Sequence, residues 1–289
     1  MNARAVKFLA ATKFLPLLLL LVQPAAVQAQ FNYVITNATL TITKYTGPGG
    51  MVNIPDTYFG WPVTSIGDYA FSGNSTVTSV TIPNSVTTMG NYTFYACINL
   101  TSVTIGDSVN SMGNYSFTSC SNLTSVTISN GVTTFGYYTF AECTSLASIT
   151  IPSSVTNLGF FGFLTCTKLT GVYFQGNALS ADTSVFINDT NAIAYYVAGT
   201  KGWGAKFDGI PTWNPLVQTS DNSFGVHTNQ FGFTITGNSN LVVVVESCTD
   251  ISNPNWQPVQ TTTLTGGSSY FSDPQWTNYP ERFYRLRSP

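Results

Sequence analysis

The chain has 289 residues, of which only 8% are charged, and its formal net charge is −2. Soluble proteins usually carry about 25% charged residues, so a polar surface here has to be built mainly from Ser, Thr, Asn and Gly. A nearly neutral chain lacks the basic field that attracts nucleic acid or an anionic membrane, and we expect neither as a partner.

Residues 1–29 have the pattern of a secretory signal peptide. Basic residues precede an apolar core over residues 14–22, and the small-residue sequence V-Q-A over 27–29 suits cleavage. An uncleaved membrane anchor is the alternative, but the apolar stretch is shorter than the roughly 20 residues that a spanning helix needs. We therefore expect cleavage and export, with a secreted or cell-surface location and no integral membrane segment in the mature chain.

Residues 30–60 are predicted to form a cap at the N-terminal end of a stack of strands. The terminal strand of such a stack has an unpaired edge, which has to be covered. Val52 and Ile54 align with Val80 and Ile82 of the repeat that follows, but this step along the chain is longer than the repeat that the later copies keep. A five-residue insertion around residues 58–61 accounts for the difference.

A 23-residue repeat dominates residues 61–200. One recurring segment reads IGDYAF, MGNYTF, MGNYSF, FGYYTF and LGFFGF, and its final Phe recurs at Phe71, Phe94, Phe117, Phe140 and Phe163. One further step reaches Phe186, in a degraded copy. The second recurring segment, for example LTSVTIG at 100–106, fits the L-x-x-L-x-L strand signature of a leucine-rich repeat and alternates as a half-buried strand does.

A single repeat unit is too short to enclose a core alone. We therefore interpret each unit as one coil of a solenoid, in which the apolar side chains are covered by the same side chains of neighbouring coils. The Phe residues are predicted to form a continuous buried stack. Glycines keep the same period and indicate a tight corner, where a side chain would clash or φ must be positive; they are Gly67, Gly90, Gly113, Gly136 and Gly159.

Four cysteines share this period, Cys97, Cys120, Cys143 and Cys166, and Asn74 takes their position in the first copy. A zinc site needs ligands that converge on one point, whereas these lie along a line, so we expect no metal there. Two interpretations stay open. Neighbouring coils of an exported protein could be joined by disulfides, or the cysteines could form a ladder of small buried thiols.

Residues 201–215 are rich in Gly and Pro and are predicted to be a linker. The repeat period is absent from residues 216–289, where QFGFTITG, LVVVVESC, WQPVQTTTL and RFYRLRS are strand candidates. The fold class is therefore mainly β: a leucine-rich-repeat solenoid of 23-residue coils followed by a small antiparallel β-sandwich.

The succession L-x-x-V-x-I-P, V-x-x-I-G, A-F and C resembles the BspA-like subclass of bacterial leucine-rich repeats over residues 52–197. The resemblance implies a secreted or surface protein that takes part in adhesion and protein binding and is not an enzyme. NPNWQPV followed by the terminal FYRLR resembles a C-terminal module of secreted bacterial proteins, which implies attachment or retention at the cell surface.

The residues themselves offer no catalytic centre and no cofactor site. His227, in the predicted loop before QFGFTITG, is the only histidine. The few carboxylates of the repeat sit at different repeat positions, so they do not form the pair that a glycosidase needs. Asp182, Asn188, Asp189 and Asn191 cluster in the degraded copy; Ca²⁺ ligation is one interpretation, and turn formation is the commoner one.

Two recurring sets of residues are candidate binding surfaces. The strand face is the outward side of the strand ladder, made by Ser79, Thr81, Ser102, Thr104, Ser125, Thr127, Ser148, Thr150 and Tyr173. The Tyr row lies two positions before the Phe stack and comprises Tyr69, Tyr92, Tyr115, Tyr138 and Phe161. Each also has a purely structural interpretation, because Thr is a good strand former and the rings could pack over the coil corner.

We predict from these patterns an exported, non-enzymatic interaction protein that presents the strand face for protein binding or adhesion. The alternative is a glycan- or matrix-binding module that uses the Tyr row.

Overall fold

The computed structural model of the protein describes residues 30–180, 184–197 and 199–287, and nearly all its regular structure is β. The predicted signal peptide and Asp182 lie outside the described residues. The N-terminal cap comprises β1 (Phe31–Thr36), β2 (Thr39–Tyr45), β3 (Gly50–Asn53), β4 (Thr57–Tyr58) and β5 (Trp61–Ile66).

The coils contribute short strands at two corners. They are β6 (Val77–Thr81), β7 (Thr88–Met89), β8 (Ser102–Thr104), β9 (Ser111–Met112), β10 (Ser125–Thr127), β11 (Thr134–Phe135), β12 (Ser148–Ile151), β13 (Gly171–Phe174) and β14 (Ile193–Tyr196). The chain then forms β15 (Lys206–Phe207) and β16 (Ile210–Trp213).

The C-terminal strands are β17 (Leu216–Gln218), β18 (Gly225–His227), β19 (Gln230–Thr236), β20 (Val242–Cys248), β21 (Gln257–Thr263), β22 (Ser268–Asp273) and β23 (Phe283–Arg287). Among the described residues the helical segments are two 3-10 turns, Thr265–Gly267 and Trp276–Asn278.

Successive coils pair in parallel with a 23-residue register, which confirms the predicted solenoid. Val80 pairs with Val103, and Val103 pairs with Val126. One ladder runs β3-β6-β8-β10, and β12-β13-β14-β16 continues beside β10. A second ladder runs β2-β5-β7-β9-β11 along the other corner.

The predicted Phe stack is present. Phe94 and Phe117 have ring centroids 5.2 Å apart and planes within 3°, and the stack continues from Phe71 to Phe186 at centroid separations of 4.7–5.5 Å. Phe94, Phe117, Phe140 and Phe163 are completely inaccessible to solvent. Each ring therefore depends on its neighbours for its burial.

Both ends of the Phe stack are closed by residues that the repeat pattern does not reveal. In the cap, the ring of Tyr45 stacks on Phe71 at 5.0 Å. Inside the stack, the backbone N–H of each Phe donates to a carbonyl of the next coil, as Phe94 does to Ser116. No further coil follows Phe186, and its N–H donates to the carboxylate of Asp208 instead (3.2 Å). An acidic side chain thus satisfies the backbone donor that the missing coil would have satisfied.

The predicted insertion in the cap is a β-hairpin. Val52 pairs with Val80, which confirms the longer offset predicted for the cap. Strands β4 and β5 pair antiparallel through a two-residue turn in which Phe59 and Gly60 have φ of 50° and 81°. Two successive positive φ angles are the requirement of the tight hairpin turn that matches strand twist.

Residues 201–215 are not the linker that we predicted. Strand β16 pairs in parallel with β14, with Tyr195 opposite Trp213, and β15 folds back on β16. Gly and Pro in this segment shape a hairpin, and the buried residues Phe207, Ile210 and Thr212 attach it to the end of the solenoid. The ladder therefore extends one strand beyond the predicted solenoid.

The C-terminal module is the predicted small antiparallel sandwich, and all four strand candidates are strands. One sheet has β17 and β18 on one side of β19 and β22 on the other; the second sheet runs β21-β20-β23. Phe233, Ile235, Val243, Val245, Leu264 and Phe271 form the core between them. The module contacts the solenoid through Asn238, which accepts from the Tyr196 hydroxyl (2.9 Å) and donates to Thr212 (2.7 Å).

The periodic glycines serve a tight corner, mostly by avoiding a clash. A Cβ on Gly113 would lie 2.3 Å from the carbonyl oxygen of Gly90 in the preceding coil. Of the five periodic glycines only Gly159 has positive φ (67°). Non-glycine positions have positive φ in every coil: each member of the Tyr row (54–58°) and Ala96, Ser119, Glu142 and Thr165 (54–62°). Side chains in this region cost free energy, so stacking imposes local strain on each coil.

The periodic cysteines are free, buried thiols, and among the described residues no disulfide joins them. Each Sγ–H donates to a Phe carbonyl 26 positions earlier, at 3.1–3.2 Å. Burial raises the pKa of Cys97 to about 12 and holds those of Cys120, Cys143 and Cys166 well above the ordinary value. The ladder is therefore inert packing, and the disulfide interpretation is wrong.

Asp189 takes the cysteine position in the last coil. It is only 2% exposed, and burial raises the pKa of its carboxyl from 3.8 to about 7, although the backbone N–H of Cys166 partly counteracts this. The folded chain therefore binds a proton at pH values where the unfolded carboxyl has lost it. The contribution of this carboxyl to stability is fully present below about pH 4 and is lost as the pH rises from about 4 through about 7.

We expect Phe117→Ala to lower the free energy of unfolding by about 3–5 kcal/mol, because it opens a cavity between two fully buried rings. Urea denaturation of the chain followed by circular dichroism measures the loss. Tyr137→Ala removes a ring that is half exposed and should cost far less. Similar losses for the two variants would contradict the stacking account.

Ala96→Gly should stabilise the protein by roughly 0.5 kcal/mol. Removing the side chain relieves the cost of the left-handed conformation, about 1–2 kcal/mol. The greater conformational entropy that Gly loses on folding offsets about 0.5–1 kcal/mol of this gain. Gly73 already occupies this repeat position in the first coil. The matched control is Ala147→Gly, at a residue outside the left-handed region, which should destabilise by about 0.5–1 kcal/mol. Thermal melts of both variants test the strain; a destabilised Ala96→Gly variant would refute it.

Asp189→Asn should raise the free energy of unfolding at pH 8 by about 2 kcal/mol and have little effect at pH 4, where the wild-type carboxyl is already protonated. Melting temperatures measured between pH 4 and 8 should therefore fall less steeply for the variant. Asp107→Asn, on an exposed turn, is the control and should keep the wild-type slope. Parallel profiles for wild type and Asp189→Asn would contradict the assignment.

Candidate functional site

The strand face is a flat, uncharged surface of hydroxyl groups. Its residues alternate with the buried Val80, Val103 and Ile149, so the pleat directs them outward. Ser79 and Ser102 are half-buried, and the other members, up to and including Tyr173, are exposed. Pairing brings Ser79 beside Ser102 and Thr81 beside Thr104, and these positions continue in register through Ser125 and Thr127.

The strand face extends further than the sequence predicts. Thr150 pairs with Tyr173, Tyr173 with Tyr195, and Tyr195 with Trp213. The rings of Tyr173 and Tyr195 stack at 4.9 Å, and Trp213 meets Tyr195 edge-on at 5.5 Å. The last two steps along the chain are shorter than the repeat, so a search at the repeat period misses Tyr195 and Trp213. The alternation of buried Ala194 and Thr212 with these rings is the signal that could have found them.

The Tyr row forms a second, separate surface at the coil corner. Adjacent rings stack face to face at centroid separations of 4.6–4.8 Å, with planes within 3–22°. Tyr69, at the end of the row, is 57% exposed, and the other members are half-buried. Burial and the neighbouring rings of Tyr115 and Tyr69 raise the pKa of Tyr92. The inner rings thus present edges and hydroxyl groups to solvent, while their faces cover one another.

The left-handed backbone fixes the direction of the Tyr row. Because each member has φ of 54–58°, the ring projects from the corner next to the buried Phe two residues later. Side chains of the polar residues beside it link the coils: Asn91 accepts from the N–H of Asn114 (2.8 Å), and Asn114 from that of Tyr137 (2.8 Å). The row is therefore held in place by the ladder beneath it.

The described residues contain no group of three or more His, Cys, Asp or Glu side chains that could hold a metal ion. Asn188 and Asn191 are exposed, whereas Asp189 is buried, so these residues do not converge. His227 ends β18 and is exposed, and is not in a preceding loop as predicted. None of the helices within the described parts of the chain is long and apolar enough to cross a membrane.

Carboxylates of the C-terminal module are used for its own structure. Glu246 accepts from Arg285 (2.7 Å) and Arg287 (2.8 Å), and these contacts hold its pKa below the ordinary value. Asp273 contacts Arg282 (3.2 Å) and accepts from the Tyr284 hydroxyl (2.8 Å). Arg285 also lies over the ring of Trp256, 4.5 Å from its centroid. The W-Q-P-V and F-Y-R-L-R segments are therefore partners in packing.

The sequence of residues 62–193 matches the family described as the BspA type leucine rich repeat region, with six copies. Six copies correspond to the five clear repeats and the degraded one that contains Phe186. The match ends before the C-terminal module. No curated protein matches the sequence.

Solved structures that this chain resembles include bacterial leucine-rich repeat proteins. A leucine-rich repeat protein of T. pallidum is 26% identical with a TM-score of 0.52, over 57% of this chain and 78% of that one. A leucine rich cell surface protein of Faecalibacterium prausnitzii is 29% identical with a TM-score of 0.47, over 58% and 53%. A leucine-rich repeat protein of Bacteroides ovatus is 27% identical with a TM-score of 0.49, over 59% and 49%.

With six matched copies, a 23-residue parallel register and a likeness to a known leucine-rich repeat structure, residues 62–193 form a BspA-type leucine-rich repeat region.

Proposed function

We propose that this is an exported, non-enzymatic interaction protein that binds a protein partner or mediates adhesion through the strand face. The proposal includes cleavage of residues 1–29, a solenoid that follows a cap at residues 30–60, and a C-terminal module at residues 216–289 that retains the protein at the cell surface. The family match over residues 62–193 supports an interaction role, since stacked repeats create extended binding surfaces.

The observation that carries the proposal is the continuity of the strand face. From β6 to β12 its outward side bears only Ser and Thr, without a charged residue; β6, β8 and β10 are paired in one register, and β12 lies beside β10. A rigid surface loses little conformational entropy when it binds, and its hydroxyls both donate and accept hydrogen bonds. A partner with an extended, uncharged polar surface fits this side best.

The chemistry of the described residues supports a role without catalysis. Candidate nucleophiles in the solenoid are buried thiols whose pKa values are raised, which removes the thiolate that such chemistry needs. His227 is exposed, whereas the cysteines are buried, and Glu246 and Asp273 are engaged by arginines. The carboxylates that do contact a serine hydroxyl, Glu142, Asp221 and Asp250, lie on exposed turns without the enclosed pocket that catalytic sites usually have.

Glycan or matrix binding through the Tyr row is the second candidate. The stacked geometry favours contact through hydroxyl groups and ring edges, because the faces of the inner rings are covered. Only Tyr69 has the exposure to offer a ring face. Loss of retention on a polysaccharide matrix after Tyr92→Ala together with Tyr115→Ala would support this second site.

The strand face is tested by placing three positive charges on it. We expect Thr104→Lys, Thr127→Lys and Thr150→Lys together to reduce binding to immobilised matrix proteins and intact cells by at least about tenfold, because buried unpaired charges oppose association. The control carries the same charge change on exposed turns, as Ser108→Lys, Asn130→Lys and Ser153→Lys. Equal binding by wild type and both triple variants would count against the strand face.

A further inference from the structure

The far end of the strand face differs in chemistry from the rest. Over β6, β8, β10 and β12 the outward column consists of threonines; from β13 onward it consists of Tyr173, Tyr195 and Trp213. Neither the family match nor the Tyr row accounts for these three rings. We call them the aromatic column.

The ring of Tyr173 is held in a defined orientation. It lies over Gly171, since a Cβ built on that glycine would be 2.9–3.0 Å from three of its ring and hydroxyl atoms. In the four preceding coils this position is a serine: Ser79, Ser102, Ser125 and Ser148. Glycine thus replaces serine in the coil where tyrosine replaces threonine, and the space it leaves is filled by the ring.

One face of the Tyr173 ring remains open. Its other face stacks on Tyr195 at 4.9 Å with planes within 22°. On the open side the neighbouring strand β12 presents Ser148 and Thr150, which are too short to cover a ring, and Tyr173 is 45% exposed. The open face of the Tyr173 ring and the hydroxyl groups of Ser148 and Thr150 therefore meet at a corner of the surface.

The column leads into a cavity between the solenoid and the C-terminal module. The cavity has a volume of about 320 Å³ and is lined by Ile193, Pro211 and Trp213 on one side and by Asn238, Ser239 and Asn240 on the other. Its size lies at the lower end of ligand pockets, and an apolar wall with a few polar groups at a domain junction is typical of them. Asn238 bridges the two parts of the chain, so the junction is preformed.

We propose that the aromatic column and the adjoining cavity bind a neutral glycan. This site is separate from the protein-binding role proposed for the threonine part of the strand face. The C–H groups on one face of a pyranose ring are apolar and slightly positive, and they pack against the negative face of an aromatic ring. The sugar hydroxyls at the ring edge meet the hydroxyl groups of Ser148 and Thr150, which can donate or accept.

Charge decides between neutral and anionic glycans. Recognition of carboxylate or sulfate groups uses Arg or Lys, which form charge-assisted hydrogen bonds. The aromatic column, the serines and threonines beside it and the cavity residues named above include no charged side chain. The exposed Lys206 is paired with Pro211 on the edge strand β15, three strands away from Tyr173. A neutral hexose polymer is therefore the ligand, with one sugar at Tyr173 and the chain directed toward Trp213.

The test is native affinity electrophoresis of the mature chain through gels that contain laminarin, xyloglucan, galactomannan or dextran, with polygalacturonate as the anionic comparison. We expect retardation by at least one neutral polysaccharide and none by polygalacturonate. Titration calorimetry with oligosaccharides of the retarding polymer then gives Kd. Tyr173→Thr restores the residue of the preceding coils and should fold; we expect it to raise Kd about tenfold, the upper effect of one aromatic contact.

Tyr137→Thr is the matched control, because Tyr137 is equally exposed but belongs to the opposite corner of the coil. It should keep the wild-type Kd. Absence of retardation by all four neutral polysaccharides, or equal Kd values for wild type and Tyr173→Thr, would overturn the proposal. A protein partner lost by Tyr173→Thr, without any glycan binding, would also overturn it and assign the column to the protein-binding face. A double variant, Thr104→Lys with Thr127→Lys, leaves Thr150 of the glycan site unchanged and therefore reports separately on that face.

Discussion

The structure depends on the burial of each coil by the next. One turn of the solenoid holds one Phe of the stack, and that ring is inaccessible only because two neighbouring rings cover it. Backbone hydrogen bonds follow the same rule, since the donors of one coil are satisfied by the carbonyls of the next. Both requirements fail at the ends, where Tyr45 covers the first ring and Asp208 satisfies the last donor. Caps are therefore part of the core.

Stacking is strong enough to impose unfavourable local geometry. Every complete coil holds an aromatic residue of the Tyr row and a second residue in the left-handed region, which isolated side-chain-bearing residues avoid. Glycines are needed at the corner chiefly because the preceding coil lies so close that a Cβ atom would clash with it. The strain is repeated because its compensation, contact with the neighbouring coil, is repeated too. One consequence is functional: the exposed side chains point in fixed directions.

The uncharged polar side chains of the solenoid serve both its surface and its internal contacts. Hydroxyl and amide side chains solubilise the solenoid and also connect it, as threonine hydroxyls donate to carbonyls one coil earlier, for example Thr101 to Thr78 and Thr124 to Thr101. Ionic groups are concentrated in the C-terminal module, where arginines neutralise buried carboxylates. The surface available for recognition is thus polar and neutral along most of the solenoid and aromatic at its C-terminal end. In the proposed role such a surface would select partners by shape and hydrogen bonding, with little electrostatic steering.

Periodicity in the sequence determined the solenoid and its Phe stack, because side chains that recur at a fixed interval are visible without coordinates. The offset of Val52 followed from aligning the cap with the repeat, and the four main strands of the C-terminal module followed from strand-forming segments bounded by turn residues. Only the tertiary structure decided whether the cysteines are bridged or free, because the same period allows a disulfide or a thiol that donates to a Phe carbonyl. Strand β16, Tyr195 and Trp213 escaped the pattern because the last coils are shorter than the repeat. Where the interval changes, only the hydrogen-bonded register shows which side chains become neighbours.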